Sequence, residues 1–504
     1  MAVWKDRTSE MNDASAAPDA LVGAGVEFAV DGDRRPTTAP LQQVLAAGAD
    51  EVSADLAGRL RTTADWRTDY APLLAELTGA CAGDPAAAVA MARAGVDRAR
   101  AELVWTDPAG ERPLTALTET DWDVEAPGTE VITGRGEPET ELVVPYRGER
   151  LRGAALHARL EAWTAAGIVE PSFAAAVGAV IDNPRWLALP GRTIAMVGAG
   201  GEMSPLAPLT RWGADVLAVD LPQARVQAHI RDLAEEGAGR VRLPRAGVGR
   251  GAGATGLDVT AQTARTAAWL TGELGDAEPV FGMYAYADRG AHVRISAATD
   301  LIIERLRARH PSTTLAYLQT PTDAFLVPPE IVEAGHRAWS GRGPLRLLQP
   351  PLRLAGRGRL FVPSYRDVHP DGTAVADILV PQQGPSYAVA KRLQRWRGVL
   401  AEADGATVSF NVAPASWTRS VTRNKVLAAA YRGARHFGVE IFDADTARVL
   451  MAAALVHDVM RGPVTRTHPE ELFSDQAAHG GLWRGAYEPK TALGFAAVLG
   501  ITRL

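Results

Sequence analysis

Cysteine, lysine and long apolar runs are what this chain of 504 residues has least of. Cys81 is its one cysteine, so no internal disulfide can form and no thiolate metal or redox motif can be written. The ten histidines include no H-x-x-x-H pair with a third ligand nearby, and no metal is expected. No stretch approaches about 18 uninterrupted apolar residues, and the opening MAVWKDRTSEMNDASAAPDA lacks the apolar core of a signal peptide. The expectation is a soluble, cytoplasmic protein without membrane contact, frayed over residues 1–20. A net charge of -6 leaves no basic footprint for nucleic acid. Also missing are G-x-S-x-G, a phosphate-binding P-loop and paired Cys motifs, which removes elbow-type serine hydrolases, P-loop nucleotide hydrolases and zinc folds.

The apolar fraction of 47% and charged fraction of 22% are those of a globular protein, and the length calls for two or three units. From about 40 to 105, and again at ERLRGAALHARLEAWTAAG and PSFAAAVGAVI, apolar residues recur at helical spacing. Short extended pieces, TEVITG and ELVVPY, lie between. Residues 21–188 therefore read as a mainly helical N-terminal domain without a catalytic constellation.

At LPGRTIAMVGAGGEMSPLAPLTRWGADVLAVDL the pattern becomes strand, Gly-rich turn, helix, strand. Further strands are expected at GATGLDVT, PVFGMYAYA, TTLAYLQT and ATVSFNVAP, separated by helices. This alternation predicts an α/β, doubly wound parallel-sheet Rossmann domain over 189–504, and the Pro, Gly and Arg-rich stretch 325–383 reads as an insertion or lid.

Gly198, Gly200 and Gly201 directly follow the first strand, where backbone N–H groups can face a pyrophosphate. Met203 stands where a third glycine would complete G-x-G-x-x-G. Asp220 closes the next strand, placed to accept an adenine-ribose diol, which favours NAD over NADP; nearby Arg225 leaves NADP open. Only four of the 53 basic residues are lysine, yet one of them, Lys391, stands one helical turn after Tyr387 in GPSYAVAKRL. On one helix face, an ammonium beside a phenol favours phenolate and brings its pKa down, and such a phenol can give a proton to an alkoxide or take one from a hydroxyl.

These elements, in this order, resemble the short-chain dehydrogenase/reductase family over roughly 190–420. VGAGGEMSP stands at the family's glycine turn, LDVT (Asp258, Val259) at its adenine-contacting Asp-Val, and YAYADRG, with Ala285, at its Asn-Asn-Ala-Gly strand end. Tyr387 and Lys391 match the catalytic Tyr-x-x-x-Lys, and Pro414 and Thr418 the Pro-Gly…Thr loop. The resemblance implies an NAD(P)-dependent oxidoreductase that interconverts a ketone and an alcohol of a small-molecule substrate, with Tyr387 as general acid/base and Lys391 on the nicotinamide ribose. Thr320 or Thr322 would replace the family's serine. The departures are Glu202 and Ser204 in place of two turn glycines, YAYA in place of Asn-Asn-Ala-Gly, and some fifty extra residues before the tyrosine.

Two other readings stand beside this one. A Rossmann-type S-adenosylmethionine methyltransferase would use the same glycine turn and acidic strand end, but leaves Tyr387 and Lys391 without a role. A non-catalytic member that keeps the sheet as a binding or scaffold protein fits the departures. His457 with Asp458 reads as a structural pair in a buried helix, and FSDQAAHGGLWRGAYEP as either a covering loop or a plain connection. A homo-oligomer is left open.

Overall fold

The computed structural model describes residues 24–245, 254–343, 346, 349–355, 357–380 and 383–501. The frayed segment expected over 1–20 lies outside them. At the centre is a sheet of seven strands: β1 (Thr129–Thr133), β2 (Arg192–Val197), β3 (Asp215–Val219), β4 (Arg240–Pro244), β5 (Glu278–Met283), β6 (Thr314–Gln319) and β7 (Val408–Val412). Their spatial order is β7-β6-β5-β2-β3-β4-β1. Strands β2 to β7 are parallel, and β1, from the N-terminal part of the chain, adds antiparallel to β4. Counted from β2, this is the 3-2-1-4-5-6 order of a doubly wound fold, in which the winding reverses between β2 and β5.

The strands read as unbroken apolar runs because both faces are covered. Ile194 and Met196 of β2, Val216 and Ala218 of β3 and Val280 of β5 enter one core, with the helices Gly153–Ala165, Pro171–Asp182 and Ala444–Arg461. Their neighbours Ala195, Val197, Leu217, Val219 and Phe281 enter the other, with the N-terminal helices and with Gly290–Arg309 and Pro385–Ala403. Successive side chains on a strand face opposite ways, so this alternation is what a two-faced sheet requires.

The third parallel strand is Arg240–Pro244, whereas the apolar pattern pointed to GATGLDVT. Arg240 and Arg242 conceal it in the sequence; both guanidiniums lie 2.8 Å from Asp215 on β3, so their charge is matched within the sheet. Residues 256–260 form an irregular connection instead.

After β6, Ala324–Val327 pairs with Ala374–Asp377 as a hairpin, with the helix Pro329–Ser340 between its strands. The chain then enters the helix Pro385–Ala403. Gly384, at φ +79, and Pro385 at the first helical position start it, and Gly405, at φ +81, ends it. No helix among the described residues is long and apolar enough to cross a membrane.

The N-terminal helix Pro85–Glu102 packs against Pro385–Ala403 at Gly95, where a Cβ would lie 2.1 Å from the Trp396 ring. Gly95→Val should therefore lower stability by about 1–3 kcal/mol or more. Urea denaturation checks this, and an unchanged midpoint would contradict the packing.

Candidate functional site

The winding reversal opens a crevice at the carboxyl ends of β2 and β5, where doubly wound sheets bind ligands. Gly198 turns out of β2 at φ +81, and a Cβ there would sit 2.3 Å from the backbone of Ala285, which follows β5. Its N–H donates to Val219 O of β3 (2.9 Å), and Gly201 N–H donates back to Gly198 O (3.0 Å). Gly200 N–H donates to Asp220 Oδ2 (2.8 Å), while Leu221 N–H donates to Asp220 Oδ1 (2.7 Å). Burial raises the Asp220 carboxyl above the usual range, against the two N–H groups that lower it.

After the turn comes a helix of only six residues, Leu206–Arg211. Met203 and Pro205 lean on Tyr284, whose ring folds over Gly282 of β5; with Tyr317, Asn411 and Met451 they enclose a cavity of about 10 Å³. Glu202 turns away from the glycines. Its two oxygens accept the Arg419 N–H at 3.2 and 3.0 Å, and Arg448 Nε donates to its carbonyl (2.9 Å). The glycine turn is thus fastened to the loop after β7.

Tyr387 and Lys391 stand at the same end of the sheet. Lys391 is buried, and Nζ donates to Leu318 O near the end of β6 (2.9 Å) and to Gln394 Oε1 (3.2 Å). It lies 5.9 Å from the centre of the Tyr387 ring. Burial pushes its ammonium down to about 8, with Asp323 opposing the shift. The Tyr387 ring packs against Tyr286 (5.8 Å) and edge-on against His292 (5.2 Å), both in the segment after β5. The expectation that Lys391 lowers the phenol is corrected here. Burial dominates, Tyr286 and Asp323 add to it, and the phenol is pushed up.

Sequence reasoning missed the surroundings of this pair. His292 is fully buried and held down to about 3, first by burial, then by the Lys391 charge, against a hydrogen bond to the Ala287 carbonyl. Gln394 links the two, its Nε2 3.3 Å from His292 Nε2 while Oε1 accepts from Lys391. The spacing of Lys391 and Gln394 along one helix was the available signal; His292 gave none.

Thr320 and Thr322 follow β6 directly, and their hydroxyls hydrogen bond at 2.8 Å. The other expected residues lie further off or are engaged locally. Asp258 follows β4, and its Oδ1 accepts from Thr260 N, Thr260 Oγ1 and Ala261 N, closing the turn before the helix Thr263–Leu274; Val259 is buried. Pro414 O accepts from Ser416 Oγ (2.8 Å), and Thr418 Oγ1 pairs with Ser420 Oγ (3.0 Å). The late HGG motif is structural. Buried His479 receives the Gly481 N–H on Nδ1 (3.0 Å) and faces Glu170 with Nε2 (2.8 Å), which Arg484 also holds. Among the described residues, no group of three His, Cys, Asp or Glu side chains could hold a metal ion.

The buried ammonium gives a pH signature. Above about pH 10.5 neither the folded nor the unfolded chain carries the Lys391 proton, and below about 8 both do, so the charge is buried at a cost only on the lower side. The stability of the wild type relative to Lys391→Met should rise by on the order of 2–3 kcal/mol across that window. Denaturant titrations at stepped pH check this, and a constant difference would contradict it.

No family model matches the chain, and no curated protein matches it in sequence. Among solved structures it is similar to the terminal R domain from the myxalamid PKS-NRPS biosynthetic pathway, at 15% identity and a TM-score of 0.26. The match covers 50% of this chain and 60% of that one, and a likeness at this level carries no argument about function.

Proposed function

We propose that the protein is an NAD(P)-dependent oxidoreductase of short-chain type, reducing a small ketone or oxidising the corresponding alcohol. The observation that carries this reading is the placement of Tyr387 and Lys391 together at the carboxyl end of β6, in a sheet whose winding reverses beside it. NAD is preferred over NADP because the carboxylate of Asp220 ends β3, where a 2′-phosphate would be repelled.

The residues present fit a dinucleotide at two places. Both Asp220 oxygens hold one N–H each and keep lone pairs for a ribose diol, and a Cβ on Gly200 would press on Val226 at 3.0 Å. Lys391 uses two of its three donors, and the third is available to a second ribose. The nicotinamide, when bound, supplies or removes hydride. Tyr387 then handles the proton. Its phenol, kept protonated by burial, is ready to donate to the oxygen of a reduced carbonyl. Thr320 or Thr322 would donate to the carbonyl oxygen and hold it in place.

A second reading, a non-catalytic protein that keeps the sheet, is favoured by one observation. Tyr284 and Met203 fill the crevice to about 10 Å³, and Glu202 is already tied to Arg419. Calorimetric titration with NADH, NADPH and S-adenosylmethionine separates the readings. Binding of NADH, with turnover on a panel of ketones that falls at least about 100-fold in Tyr387→Phe at unchanged NADH affinity, is the expected result. Full turnover in Tyr387→Phe would remove the phenol's role. Absence of NADH and NADPH binding would favour the non-catalytic reading, and binding of S-adenosylmethionine instead would favour a methyltransferase.

A further inference from the structure

A second opening lies away from the sheet mouth. A cleft of about 540 Å³ lies beyond β7, bounded by the hairpin end at Tyr146, the helix Gly153–Ala165, Trp417 and the helix Lys425–Ala434. Its size is that of a small-molecule site. From the geometry we infer that this cleft binds a flat aromatic anion, a ring system bearing a carboxylate or a phosphate.

Charge is the first argument. Four guanidiniums line the cleft, those of Arg147, Arg159, Arg432 and Arg435, against the single carboxylate of Glu440. Glu440 is already engaged, because Tyr146 Oη donates to it (2.6 Å) and Arg147 pairs with it (3.2 Å). Arg432 donates to Gly500 O (3.2 Å) and meets no carboxylate among the described residues. Arg159 and Arg435 have no ion-pair partner there either. Three positive charges thus converge without a counter-charge among the described residues. Planar guanidiniums match carboxylate and phosphate oxygens through paired N–H donors.

The walls supply the second argument. Trp417 and Tyr431 meet edge to face at 5.6 Å, both partly open to the cleft, and burial pushes the Tyr431 phenol up to about 12, so it stays neutral. Trp163 packs behind them, against Tyr146. Aromatic walls beneath arginines favour a flat ring over a bare inorganic ion. The cleft is lined by no residue of the glycine turn, although Trp417, which faces it, is two residues from Arg419, which holds Glu202. The inference therefore does not rest on the proposed redox chemistry.

Calorimetry with 1-naphthyl phosphate tests it, with 1-naphthol and inorganic phosphate as controls. The expected result is one saturable site with a Kd below about 1 mM, at least about tenfold weaker in each of Arg159→Ala and Arg435→Ala, whose thermal midpoints should match the wild type. Both controls should bind at least about tenfold more weakly, and Tyr387→Phe should bind as the wild type does, which separates this result from the fate of the oxidoreductase reading. No saturable binding, equal binding by both arginine variants, or either control binding as tightly as the ester would overturn the inference.

Discussion

A fully buried guanidinium fixes the position of the candidate site. Arg395 is fully buried, donates to Ala324 O (2.6 Å) and to the carboxylate of Glu470, lies 3.6 Å from Asp323, and is sandwiched with the rings of Phe325 and Phe473. Such a group is tolerated only when it is paired, here through two of its three nitrogens, and removal of one partner costs about 3–5 kcal/mol. The contacts join three segments at the end of β6: the hairpin strand, the Glu470 segment and the helix Pro385–Ala403. With that helix held, Lys391 one turn earlier meets Leu318 O, and Tyr387 one turn before that meets Tyr286 and His292.

The same helix sets the electrostatics. Lys391, Arg392 and Arg395 place three buried cations against Asp323 and Glu470, and burial pushes Arg392 down to about 10. At Tyr387 itself burial sets the shift and Tyr286 and Asp323 add to it, while Lys391 bonds to a carbonyl and an amide 5.9 Å from the ring. The turn across the crevice has the opposite character. Asp220 and Glu202 already accept backbone N–H groups there, so an incoming phosphate must compete with carboxylates of the chain itself.

How far the sequence could be read follows from what is local. The parallel strands other than β4 were visible as short apolar runs between amphipathic helices, and so was the helix of Tyr387. Strand β4 was not, because Arg240 and Arg242 are neutralised by Asp215, a residue distant in sequence whose pairing exists only in the sheet. The pairing of β1 with β4 depends likewise on a long-range contact. At the site, the helical spacing of Tyr387 and Lys391 was legible, but the direction of the phenol's shift was not. It depends on burial beneath Tyr286 and His292, which come from a different strand end. The cleft beyond β7 was hidden for the same reason, its arginines being spread from Arg147 to Arg435.

The account stands on Tyr387 and Lys391 bordering a dinucleotide at the mouth of the sheet. A crystal structure of the protein soaked with NAD is the most direct measurement. The account predicts that Tyr284 moves out of the crevice, that Asp220 holds the adenine ribose, and that the nicotinamide ribose reaches Lys391 Nζ with the ring beside the Tyr387 hydroxyl. Electron density for the dinucleotide elsewhere, with Tyr284 still seated over Gly282 and Lys391 still bonded only to Leu318 O and Gln394, would contradict it.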